Sequence, residues 1–63
     1  MKTYHAVIDG SRRIWLTMNY DTLQACIDAC KILFKTGDTF GKIFAADIYD
    51  NDSNFIRPVT KNN

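Results

Sequence analysis

From Leu23 to Phe34 apolar residues return every three or four positions, and on either side of that stretch they return every second position. A chain with one helical period flanked by strand periods has few ways to bury its apolar groups. The helix must lie across a sheet built from the flanking segments. At about 100° per residue, Leu23, Cys26, Ile27, Cys30, Leu33 and Phe34 form one stripe. Gln24, Asp28, Lys31 and Lys35 form the wet face, and Ala25, Ala29 and Ile32 fill a third sector with Thr22. Asp21 with Gln24 three residues later reads as a capping box, and Gly37 as the stop.

The flanking segments read as two hairpins. Tyr4, Ala6 and Ile8 alternate with Thr3, His5, Val7 and Asp9; Ile14, Leu16 and Met18 alternate with Arg13, Trp15 and Thr17. Taking Gly10-Ser11-Arg12 as a three-residue loop pairs Ile8 with Ile14, Ala6 with Leu16 and Tyr4 with Met18, all inward. The other face then pairs Val7 with Trp15 and Asp9 with Arg13. After the helix, Phe44, Ala46 and Ile48 are expected inward and Ile43, Ala45, Asp47 and Tyr49 outward. Asp50 to Asn54 is dense in turn residues, and Phe55 to Val59 is a shorter strand that Pro58 consigns to an edge. Pairing Ile48 with Ile56 sets Tyr49 beside Phe55 and Asp47 beside Arg57. The predicted fold is α+β: a two-layer ββαββ domain over residues 1–63, with 60–63 as a frayed tail.

At 46% hydrophobic and 24% charged, with three Gly and one Pro, the composition is too apolar for a disordered tail. It is also too interrupted by charge for a membrane span. An alternating strand directly after Met1-Lys2 does not read as a signal peptide, so a cytoplasmic, reducing compartment is expected. Eight Lys+Arg against seven Asp+Glu give no general attraction for nucleic acid or anionic lipid.

Constellations that carry chemistry are weak. Cys26 and Cys30 are four apart on the core stripe, where their parallel Cβ directions suit a disulfide poorly, and small buried hydrophobes explain them better. With His5 as the one further soft donor, no metal set is predicted. Asp50-Asn51-Asp52-Ser53-Asn54 opens like a calcium loop, then places Phe55 where Gly is needed and Lys61 where the bidentate Glu is needed. His5, Asp9 and Ser11 make a trio only on paper, because a turn serine and an outer-face histidine lack a cleft between them. No enzyme activity and no cofactor are expected.

What remains is surface. One helix covers one sheet face, so Trp15, Tyr49, Phe55, Val7, Ile43 and Val59 are expected together on the other face, beside Arg13 and Arg57. An apolar face rich in aromatic and Arg side chains marks an interaction surface. A cross-strand aromatic cluster that merely stabilises the sheet is the simpler alternative. The Ala25–Ala29–Ile32 sector is a second candidate, since small residues permit close helix approach. A protein partner is favoured, either a second copy in a homodimer or a foreign target. Single-stranded nucleic acid stacking on the aromatics is the alternative, with Asp9 and Asp47 on the same face opposing it. An outward Trp15 implies that truncating it costs little stability.

In length and element order the whole chain resembles small phage-encoded inhibitors of host enzymes. The resemblance rests on no shared motif and transfers no functional residue; it implies a binding protein that inhibits a larger host or defence protein.

Overall fold

The computed structural model describes residues 1–11, 13–36 and 43–60. The elements run β1 (Tyr4–Gly10), β2 (Ile14–Leu16), α1 (Leu23–Thr36), β3 (Ile43–Asp50) and β4 (Phe55–Thr60). They form the expected ββαββ fold, a helix on one face of an antiparallel sheet of order β2-β1-β3-β4. β4, with Pro58, is an edge strand as expected. Thr60 pairs with Ala45, so the strand continues through a residue assigned to the tail.

Helix α1 starts where its first orphan amides find an acceptor. Thr22, and not Asp21, is the cap: its Oγ1 accepts the Ala25 N–H at 3.1 Å. Such a cap is worth about 1 kcal/mol. Gln24 reaches forward to Asp28 at 2.9 Å instead of back to the helix start. Gly37, the expected stop, lies outside the described residues. The expected stripe is the buried one: Cys26, Ile27 and Cys30 are buried, and Leu23, Leu33 and Phe34 pack against the core. The helix lies on β1, β3 and β4 and does not reach β2.

The sheet face under the helix holds Ala6, Ile8, Ile43, Ala46, Ile48 and Val59. Two bulges set this list. Asp9 pairs with Ala45 but Gly10 with Ile43, which leaves Phe44 as an extra residue on β3. The bulge turns Ile43 inward to 7% exposure and Phe44 outward, reversing both expectations. Likewise Tyr49 pairs with Phe55 but Ile48 with Arg57, so Ile56 is the extra residue on β4. Val59 is then fully buried instead of outward, while Ile56 still packs on the core. Asp47 faces Pro58 and not Arg57.

The first hairpin closes one residue tighter than expected. Gly10 N–H donates to the Arg13 carbonyl at 3.0 Å, so two residues form the turn. Ile8 therefore pairs with Trp15, Val7 with Leu16 and Asp9 with Ile14. A one-residue slip moves every β2 side chain to the other face. Trp15 packs half-buried against the core, while Ile14 and Leu16 are 69% and 62% exposed. Asp9 does not face Arg13. Beyond Leu16 the ladder is patched by a side chain: Thr17 Oγ1 accepts the Ala6 N–H and donates to the Met18 carbonyl, both at 2.9 Å. Tyr4 and Tyr20 then exchange backbone bonds of 2.8 and 2.7 Å, leaving Met18 exposed in the loop between.

Because the indole lies on the helix side, Trp15→Ala is expected to cost about 2 kcal/mol, below the range for a fully buried Trp. Urea denaturation checks it; an unchanged midpoint returns the residue to the outer face.

Candidate functional site

The strongest surface feature lies where the helix stops short of β2. A groove of about 460 Å³ opens there, walled on one side by Trp15, Leu16, Met18 and Tyr20. Ala29, Ile32 and Leu33 form the helix wall, with Thr17 completing the lining. Three features of the fold shape the groove. The helix sits over β1 and β3, Trp15 packs beside it on the same sheet face, and Thr17 and Tyr20 hold the segment after Leu16 to β1. Arg13 lies over the Trp15 ring, its Cζ 5.3 Å from the centroid. The Trp15 Nε1–H is buried and finds no acceptor among the described residues.

β2 also presents an open edge. In an antiparallel ladder the bonded and non-bonded pairs alternate. Gly10 with Arg13 and Ala6 with Thr17 are bonded positions, so Ile8 with Trp15 is bonded and Asp9–Ile14 and Val7–Leu16 are not. The N–H and C=O of Ile14 and Leu16 consequently point away from β1. No charged residue occurs from Ile14 to Met18, although edge strands are usually protected by one.

The uncovered sheet face is more mixed than expected. One end is aromatic: His5 stacks on Tyr49 at 6.1 Å between centroids, and Tyr49 meets Phe55 edge-on at 5.7 Å. The next row across the strands runs Leu16, Val7, Asp47, Pro58, and the next Ile14, Asp9, Ala45, Thr60. Two carboxylates thus interrupt the apolar surface. Arg57 is exposed and donates its Nε–H to the Pro58 carbonyl at 3.2 Å.

Of the predicted interaction residues, Tyr49, Phe55 and Val7 share the outer face. Ile43 and Val59 are core. Trp15 leaves the outer face to meet Ala29 and Ile32 across the groove, joining two surfaces read from the sequence as separate; Ala25 is half-buried outside the lining. Arg12 lies outside the described residues. The residues missed are Ile14, Leu16 and Met18, assigned inward by alternation. Their signal was the uncharged run itself, which suits an edge offered to a partner as well as a core strand.

The titratable groups serve the fold. Asp50 is buried and its Oδ1 accepts the backbone N–H of Asp52 and Asn54, each at 2.9 Å. Asn54 Nδ2 adds a bond at 3.3 Å and Lys2 an ion pair at 3.6 Å. This carboxylate shapes the β3–β4 turn, in which Ser53 takes φ 66°. The Asn54 amide is the main cause that lowers its pKa, against the opposing effect of burial. Cys26 and Cys30 are free, buried thiols. Burial pushes Cys26 up, and pushes Cys30 to about 12 with help from its neighbour's charge and a shared hydrogen bond. Among the described residues no group of three or more His, Cys, Asp or Glu could hold a metal ion, and no helix is long and apolar enough to cross a membrane.

Compared with protein-family models, curated proteins and solved structures, the chain gives no match in any of the three.

Two pH responses follow. Asp50 ionises more readily folded than unfolded, so its stabilisation is present above about pH 4 and is lost as pH falls through the lowered value. Asp50→Asn should lower the thermal midpoint at neutral pH and flatten the acid limb; an unaltered acid limb removes the role given to this carboxylate. The thiols act in the opposite direction, stabilising fully below about pH 9 and losing that contribution as pH rises toward about 12. Relative to a Cys26→Ala/Cys30→Ala variant, the native chain should lose stability more steeply over that window. Both thiols should also resist alkylation at about pH 8 until the chain unfolds.

Proposed function

We propose that this chain is a small non-catalytic protein-interaction module that binds an extended segment of a protein partner along β2. The observation that carries the reading is the uncharged β2 edge, unpaired among the described residues, lying beside an apolar groove. Strand addition takes affinity from main-chain hydrogen bonds and specificity from a neighbouring pocket for alternate side chains, and this site offers both. The exposed Ile14, Leu16 and Met18 then serve as contact surface in place of being a solubility fault. The two free thiols suit a reducing compartment such as the cytoplasm. Inhibition of a larger protein fits the same surface, because occupying a target's strand blocks whatever that strand would otherwise engage.

Single-stranded nucleic acid is the second reading. The Tyr49–Phe55 cluster gives it a stacking platform. Asp9 and Asp47 on the same face work against it, as does a net charge of +1.

Random peptides selected by display on the immobilised chain test the proposal. Winners should be extended apolar sequences that shift the Ile14 and Leu16 amides and the Ile32 and Leu33 methyls in NMR titrations. Ile32→Lys should weaken them by about tenfold, the scale of one lost apolar contact. Failure to select any peptide, or shifts confined to His5, Tyr49 and Phe55, would overturn it. Oligothymidine shifting those three would favour the nucleic-acid reading.

A further inference from the structure

We infer that the segment taken up by β2 is the β2 strand of a second copy of this chain, paired antiparallel across a two-fold axis through Trp15. This deepens the binding role proposed above and rests on it. The outward hydrogen-bonding groups belong to Ile14 and Leu16, placed symmetrically about Trp15. An axis at Trp15 therefore sets Ile14 of each copy against Leu16 of the other as bonded pairs. Four main-chain hydrogen bonds form, using only groups that β2 leaves unpaired.

Other symmetric registers do less well. Centring on Leu16 pairs Ile14 with Met18, whose carbonyl already accepts the Thr17 hydroxyl. Centring on Ile14 leaves Ile14 against Ile14 as the one bonded pair within β2, since Leu16 would then face a position outside the strand. The favoured register also sets Arg13 against Thr17, so no like charges face each other, and a chain charge of +1 gives little repulsion between copies. On the outer face it covers the two β2 side chains that are most exposed, Ile14 against Leu16, twice over. On the inner face the two Trp15 side chains meet as a non-bonded pair, the geometry that brings side chains closest.

Strand spacing limits what else can touch. Each helix sits over β1 and β3, about two strand spacings from the axis, so the helices stand about 20 Å apart. The pairing is carried by the sheet edge and the indoles, and the helix sectors with Ala25 and Ala29 stay out of contact.

Sedimentation equilibrium of the full chain should show a monomer–dimer equilibrium. At 63 residues the chain is accessible to chemical synthesis. N-methylation at Leu16 removes an outward N–H without touching the β1 ladder, and should weaken association by about tenfold or more. Leu16→Lys, at an exposed position, should do likewise while circular dichroism stays unchanged; Lys31→Ala, on the exposed face of the helix away from the groove, should leave the dimer within about twofold. In a mixed sample of labelled and unlabelled copies, NMR contacts should join Ile14 of one copy to Leu16 of the other. A strict monomer at about 1 mM, a dimer insensitive to both Leu16 changes, or contacts through Tyr49 and Phe55 overturns the inference. A monomer that still takes up selected peptides at β2 sinks self-pairing alone. A monomer that takes up none sinks the binding role with it.

Discussion

The hydrogen bond from Gly10 N–H to the Arg13 carbonyl decides more of this molecule than any core contact. It closes the first hairpin with two residues in the turn, and the parity of that number fixes which side of the sheet each β2 residue occupies. With this closure Trp15 stands beside the helix and the aliphatic residues on either side of it face solvent. With one residue more, Ile14 and Leu16 would enter the core and the indole would leave it. The groove, the bare aliphatic edge and the Arg13 guanidinium over the indole all descend from that single turn.

A core of small side chains makes the tight closure workable. Two alanines, two cysteines and a valine are among its fully buried or nearly buried residues, so the helix approaches the sheet closely over β1 and β3. One flat indole packs at the margin, and the groove between it and the helix stays open. The neutral thiols belong to the same economy of volume, each behaving as a compact apolar group whose ionisation burial opposes.

The helix stripe, the strand identities, the Asp50–Asn54 turn and the edge position of β4 were legible because each rests on local chemistry. Periodicity exposes the stripe, Pro58 has no amide to give a neighbour, and Asp and Asn favour turns. Register was legible only beside the second turn, where Tyr49 meets Phe55 as expected, and not beyond the bulges or in the first hairpin. The assumption that apolar residues pair inward failed at Ile14 and Leu16, where the hydrophobic surface belongs to the outside. Strict alternation failed wherever a bulge intervenes. A clue was present in both later strands: Ile43 and Ala46 are three apart, as are Ile56 and Val59. Two such residues share a face only if an extra residue is inserted between them, which Phe44 and the step at Ile56 provide. Trp15 and the Ala29–Ile32 sector were each visible as unusual, but nothing in the sequence joins them, since their meeting depends on how far the helix reaches across the sheet.

The two margins of the sheet are unequal, and this bears on how large an assembly the chain can build. At β4 the strand is bent by its bulge, Pro58 offers no amide and Arg57 brings charge. These features discourage a further strand from adding there. At β2 the run from Ile14 to Met18 carries neither charge nor proline. Under the two-fold pairing proposed for β2, a sheet that can add a neighbour on one side only is used up after a single union. The bare aliphatic edge therefore carries less hazard of open-ended polymerisation than its composition implies, because the opposite margin terminates the growth.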